Sequence, residues 1–139
     1  MAVKAVYLGD KSALARMATV VAVRERLEPL LTEGLIATCG IVDLEVGYSA
    51  RDSATHAAVL RERRALPRAP IDDTVLDRAL EVQGLLARRG QHRLALPDLI
   101  FAAAAENAQL AVLHYDADFQ RIADVTQQAH EWVVPGGSV

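Results

Sequence analysis

Five acidic residues stand where an α/β chain can do chemistry: Asp10, Glu45, Asp98, Asp116 and Asp118. Asp10 closes the apolar run Tyr7-Leu8-Gly9, where a short strand ends. Asp116 and Asp118 follow Val112-Leu113-His114 in the same manner. Asp98 comes directly after Pro97 and opens the most apolar helical stretch of the chain. Each has an ordinary structural use. Asp10 can cap a helix, although no Glu or Gln three residues on completes a capping box. Pro97 followed by an acid is common helix-start chemistry. A cap explains one of Asp116 and Asp118, and two are present.

Glu45 is harder to explain as structure. In a helix read from Ile41, positions 41, 44, 45 and 48 share a face and carry Ile, Leu, Glu and Tyr. Asp43, Gly47, Ala50 and Arg51 fall on the other. Glu45 therefore reads as a carboxylate on the apolar side of its helix. A buried carboxylate needs an arginine, a proton or a metal. A structural salt bridge is the plain alternative.

Carboxylates that share a small volume must be neutralised by cations. An oxygen-only set suits Mg²⁺ or Mn²⁺, one ion or two. Zinc does not fit, because Cys39 is the single cysteine and His56, His92, His114 and His130 are scattered. Carboxylate-held Mg²⁺ serves phosphate chemistry, polarising a phosphoryl oxygen and acidifying a water.

Short apolar strands are expected over Val3–Gly9, Leu35–Thr38, Leu110–Leu113 and His130–Val134. Helices are expected over Lys11–Met17, Val20–Glu33, Ile41–Arg51, Thr55–Leu66 and Pro97–Ala108, with a short one over Asp116–Ala123. Pro29 should kink or restart the second of these, and Gly34 should stop it. A further amphipathic helix starts at Asp72 or Asp73 and ends at Gly90, with Val75, Leu76, Ala79, Leu80, Gln83 and Leu86 on one face. Strands alternating with helices predict a mostly parallel sheet covered on both faces. Ligands in such sheets bind at the carboxyl ends of the strands. Asp10 and Asp116 stand at those ends, so all five acids can meet on one rim.

The 139 residues fit one domain, expected over 1–134, with a flexible tail at 135–139. Hydrophobic residues are 52% and charged ones 24%, enough apolar surface for a core without disulfides. No apolar run reaches the length of a membrane span, and the first residues lack a signal-peptide pattern, so a soluble cytoplasmic protein is expected. The net charge of −3 by itself argues against nucleic acid as a partner.

Four segments together resemble the PIN-domain ribonucleases, most closely the VapC-type toxins of VapBC toxin–antitoxin modules. They are Tyr7-Leu8-Gly9-Asp10-Lys11-Ser12-Ala13-Leu14-Ala15-Arg16, Asp43-Leu44-Glu45-Val46-Gly47-Tyr48-Ser49-Ala50, Leu96-Pro97-Asp98-Leu99-Ile100-Phe101-Ala102-Ala103 and His114-Tyr115-Asp116-Ala117-Asp118-Phe119. The resemblance implies a PIN-like, Rossmann-like three-layer α/β/α fold with four or five strands. It implies a catalytic, metal-binding quartet of Asp10, Glu45, Asp98 and Asp116, with Asp118 as a fifth ligand and Ser12 in support. Lys11 stands where Thr is also common, and Phe101 where a smaller side chain is often found. The implied activity is Mg²⁺- or Mn²⁺-dependent cleavage of structured RNA, such as tRNA or rRNA, by water attack on the phosphodiester. The implied partners are an inhibitory VapB-type antitoxin and a second copy of the chain.

RNA contact needs cations, and Arg61, Arg63, Arg64 and Arg68 form one cluster while Arg88, Arg89, His92 and Arg93 form another. The antitoxin groove is expected along the helices Val20–Glu33 and Thr55–Leu66. Trp132 reads as packing before base stacking. Competing readings are a catalytically silent PIN-like binding module and a metal-dependent phosphatase. The phosphatase needs a second acid two residues after its nucleophilic Asp, and Ser12 stands there. Setting the five site acids aside leaves 13 of the 18 acids against 15 Lys plus Arg, a remainder of +2. The acidic balance is then a pocket within a mildly basic shell.

Overall fold

The computed structural model describes residues 4–139. Four short strands, β1 (Tyr7–Gly9), β2 (Ile36–Ala37), β3 (Ala111–His114) and β4 (His130–Trp132), form one parallel sheet in the order β2-β1-β3-β4. The first begins later than expected, and Val3 lies outside the described residues. Seven helices alternate with the strands: α1 (Lys11–Leu14, continued by a 3-10 turn to Ala18), α2 (Val21–Thr32), α3 (Gly40–Tyr48), α4 (Ser53–Arg64), α5 (Asp73–Ala87), α6 (Leu96–Asn107) and α7 (Ala117–Thr126). No helix among the described residues is long and apolar enough to cross a membrane.

Successive strand residues point to opposite faces, and both faces are buried. Leu8 pairs in register with Ala37 and Val112, and all three face a core built with Val42 of α3 and the apolar sides of α5, α6 and α7. Ile36, Leu113 and Val133 face the other way, onto Ala13, Val23 and Leu27 of α1 and α2. The three-layer α/β/α expectation holds. Helix α6 is central, as its composition predicts: Leu99 and Phe101 to Ala105 are all buried. Phe101, bulky for its position, packs edge-on against Phe119 at 5.5 Å. Gly9 is required by contact, since a β-carbon there would meet Ile36 Cγ2 at 2.9 Å.

Three expectations need correction. Helix α2 carries on through Pro29 as one element. Pro29 and Glu25 both lie on its exposed side, so water can satisfy the Glu25 carbonyl that proline leaves without a donor. Gly34, at φ +73°, then ends the helix with Leu35 N–H donating to Leu30 O at 2.9 Å. In α5 the buried stripe is Val75, Ala79, Val82 and Leu86, whereas Leu76 and Leu80 are exposed. Those two leucines line an apolar depression with Leu96, Leu99 and Ile100.

The third correction concerns α3. Leu44 and Tyr48, expected inside, are 72% and 90% exposed. Asp43, expected outside, is turned inward. Its Oδ1 accepts from Arg63 Nε of α4 at 2.9 Å and from Thr38 Oγ1 at 2.9 Å, and its Oδ2 pairs with Arg68. Burial alone would raise the Asp43 pKa, but hydrogen bonds from Arg68, Arg63 and Thr38 outweigh it and hold the carboxyl below its usual range. This network ties α3 to α4 and to the end of β2, and so fixes the helix that carries Glu45. Asp43→Ala would leave the buried Arg63 charge without its carboxylate. Urea unfolding is expected to show a loss of about 3 kcal/mol, and a loss below about 1 kcal/mol, the level of an exposed pair, would contradict the buried network.

Candidate metal centre

Strands β1 and β3 are parallel neighbours, so their carboxyl ends lie side by side. Gly9 pairs with Leu113, and Asp10 N–H extends the ladder to Leu113 O at 2.9 Å. Asp10 caps α1, its Oδ2 accepting from Ser12 N–H at 2.9 Å. Ser12 in turn joins the two loops, because its Oγ accepts from Tyr115 N–H at 2.8 Å. Asp116 caps α7, its Oδ1 accepting from Asp118 N–H at 2.9 Å. The capping reading of these acids is therefore correct as far as it goes. A cap uses one lone pair of a carboxylate and leaves the others to face the rim.

Asp98, in the first turn of α6, completes the gathering. Asp98, Asp116 and Asp118 each place one ligating oxygen within 4.8 Å of the others. Asp10 and Glu45 stand outside that trio but within its electrostatic reach. The Asp98 pKa is pushed up to about 7, first by burial and then by the charges of Asp10, Asp116, Asp118 and Glu45. Asp10, only 5% exposed, is raised by burial and by Asp116, although hydrogen bonds from Ser12 and Lys11 oppose this. Glu45 is half-buried and raised by burial and by Asp10, with Lys11 opposing. It borders a shallow depression with Lys11, Ile41, Leu44, Tyr48 and Pro97. Among the described residues the one ion pair made with these five acids is Arg121 to Asp118, at 2.6 Å.

Five carboxylates with one paired arginine are a site short of positive charge. Burial and the four neighbouring acids raise the Asp98 pKa in keeping with that shortage. The donors are all oxygen, and a hard divalent cation fits them.

Two further residues belong to this neighbourhood and were not singled out from sequence. His114 is wholly buried between the trio and β4. Its Nδ1 accepts from Asp116 N–H at 3.1 Å, and its Nε2 lies 2.9 Å from His130 Nδ1. Burial first, and then His130, push the His114 pKa down to about 4, against the pull of Asp116. A histidine two residues before an aspartate is the only trace of this in the sequence.

The expected RNA-contacting arginines divide. Arg61, Arg64, Arg88, Arg89 and Arg93 are exposed. Arg63 is not available, because it is 8% exposed and committed to Asp43 and Thr38. Its place on α4 turns it under the helix, where burial favours pairing over solvent. Trp132 packs against His114 and Tyr115, at 4.9 Å and 5.4 Å, as the packing reading expects. The segment expected as a tail crosses Tyr115, whose hydroxyl donates to Val139 O and accepts from the Gly137 and Val139 amides.

The PIN domain family model matches residues 10–125. Ribonuclease VapC21 of Mycobacterium tuberculosis is 52% identical over 134 residues, covering 95% of this chain and 96% of that protein. Ribonuclease VapC51 of the same species is 44% identical over 133 residues, covering 96% of each. Among solved structures, VapBC2 from Rickettsia felis bound to a promoter DNA fragment superposes with a TM-score of 0.70 at 17% identity, covering 91% of this chain and 98% of that one. FitAcB from Neisseria gonorrhoeae gives 0.72 at 18%, covering 91% and 97%. At such low identity these two likenesses speak to the fold. The family model and the close relatives speak to kinship: the chain belongs to the PIN-domain family, among its VapC members.

Proposed function

We propose that this protein is a Mg²⁺- or Mn²⁺-dependent endoribonuclease, the toxin of a type II toxin–antitoxin module. The observation that carries the reading is the convergence of Asp98, Asp116 and Asp118, each with a ligating oxygen within 4.8 Å of the others. The names of the relatives as ribonucleases agree with it. Asp10, Glu45, Asp98 and Asp116 would hold the ion, with Asp118 as a fifth ligand or the start of a second site. Bound there, a divalent cation supplies the charge that polarises a phosphate and acidifies a water. The chain's own part is to hold these oxygens on rigid strand ends. Ser12 keeps the Asp10 and Asp116 loops in register.

The substrate in this reading is structured RNA such as tRNA or rRNA, met in the cytoplasm. The exposed Arg61, Arg64, Arg88, Arg89 and Arg93 would contact its phosphates and confer salt dependence without reading sequence. A VapB-type antitoxin would restrain the enzyme in this reading, and VapBC assemblies are among the structural neighbours. An arginine offered by such a partner would satisfy the same acidic rim as the metal. A depression lined by Lys11, Leu14, Ala15, Val46, Ser49 and Arg63 lies between α1 and α3, and would offer an antitoxin segment a path past Lys11 toward that rim. A second copy of the chain would complete the assembly.

Asp10→Asn removes one negative oxygen while keeping the cap. It is expected to lower cleavage of structured RNA in Mn²⁺ by more than about a hundredfold, beyond the range for residues that only support ligands. Circular dichroism should show the fold unchanged. Full activity in this variant, or of the unaltered protein in excess chelator, would sink the proposal.

A pH dependence follows from Asp98. Its folded pKa of about 7 lies above the ordinary 3.8, so between those values the folded chain holds a proton that the unfolded chain releases. Stability of the metal-free protein from this group therefore falls as pH rises through that window. Mn²⁺ competes with the same proton. Differential scanning fluorimetry should show a larger Mn²⁺-induced rise in Tm at about pH 8 than at about pH 5.5. An equal or larger rise at the lower pH would contradict it.

A further inference from the structure

The hydrogen bonds around His114 leave no choice of tautomer. The Asp116 main-chain N–H can only donate, so His114 Nδ1 must present a lone pair. The ring is therefore neutral, with its proton on Nε2. That proton points at His130 Nδ1, 2.9 Å away, which must accept and so keeps its own proton on Nε2. The chain of donors runs one way, from the Asp116 amide to His114 and from His114 to His130. His114 has no freedom to turn: Phe119 and Trp132 sit at 5.1 Å and 4.9 Å from its ring centre. Sheet register makes the meeting possible, since His130 pairs with Val112 and Trp132 with His114 on adjacent strands.

We propose that His114 and His130 are positioning residues for Asp116: His114 grips the backbone of this acid through its bare Nδ1, and His130 accepts the Nε2 proton that this tautomer must carry. This rests on the reading of Asp116 as a metal ligand. The Asp116 carboxylate is fixed from one side by its cap on Asp118 N–H. The His114 bond fixes it from the other, at the backbone. With the opposite tautomer, an Nδ1–H would face the Asp116 N–H and push the loop off the rim.

The experiment uses the full chain in four forms: unaltered, His130→Leu, His130→Asn and Asp116→Asn. His130 is half-buried on an outer strand, so its variants are expected to fold where a change at the buried His114 could fail. Long-range ¹H–¹⁵N spectra of the metal-free protein report the His114 tautomer directly. Calorimetry reports Mn²⁺ affinity. The unaltered protein should show His114 protonated on Nε2 alone. His130→Leu should mix the tautomers and weaken Mn²⁺ binding by about tenfold or more, the range for residues that orient a ligand. His130→Asn keeps an oxygen acceptor near the lost Nδ1 and should restore both the Nε2 tautomer and affinity to within about threefold, below that range. A His114 proton on Nδ1, or His130→Leu binding Mn²⁺ as the unaltered protein does, would overturn the proposal. If the unaltered protein binds Mn²⁺ no better than Asp116→Asn, the metal-centre reading fails, and the positioning role falls with it.

Discussion

The structure is organised around a repulsion. Acidic side chains from four separate stretches of chain are held together on one rim, where burial and mutual charge make ionisation unfavourable. The cost is visible at Asp98, which keeps its proton to about pH 7. The arrangement persists because each acid is anchored by something stronger than the repulsion: the β1–β3 ladder, the caps of α1 and α7, and the packed helix α6. The surrounding bonds serve the same end. Ser12 ties one strand-end loop to the other, and Asp43 locks α3 so that Glu45 faces the group. A site built this way is prepared for a cation before one arrives.

The parallel topology makes the convergence economical. Two neighbouring strands that run the same way deliver their carboxyl ends to the same edge, and helices leaving those ends begin there too. The first turns of α1 and α7 thus turn donor N–H groups toward Asp10 and Asp116, which steadies carboxylates that would otherwise repel. The remaining surface carries a slight excess of positive charge, with exposed arginines at the ends of α4 and α5. An overall acidic chain can therefore owe its sign to one acidic cluster.

Much of this was legible in the sequence, and the exceptions have physical reasons. Asp10, Asp98 and Asp116 could be placed because strand ends and helix starts are marked by local signals: Gly9, Pro97, and the apolar runs before them. The layers could be read for the same reason. Glu45 was placed near the site by an argument that fails in detail. Helical periodicity tells which residues share a face, but it cannot tell which face the rest of the protein covers. Leu44 and Tyr48 are apolar yet exposed, and Asp43 is charged yet inward because Arg63 and Arg68 reach it from α4 and the following loop. Arg63 was misread by the same logic, as a basic residue in a basic cluster. The His114–His130 pair depends on strand register between segments 16 residues apart, which no local pattern carries.

An acidic rim short of positive charge should take up a divalent cation in exchange for a proton. Carbon-detected NMR titration of the Asp98 side-chain carboxyl, with and without Mg²⁺, tests this most directly. The metal-free protein should show Asp98 titrating near pH 7. Saturating Mg²⁺ should leave it ionised across the neutral range, with a proton released on binding. An Asp98 that titrates in the ordinary carboxylate range and does not respond to Mg²⁺ would contradict this exchange.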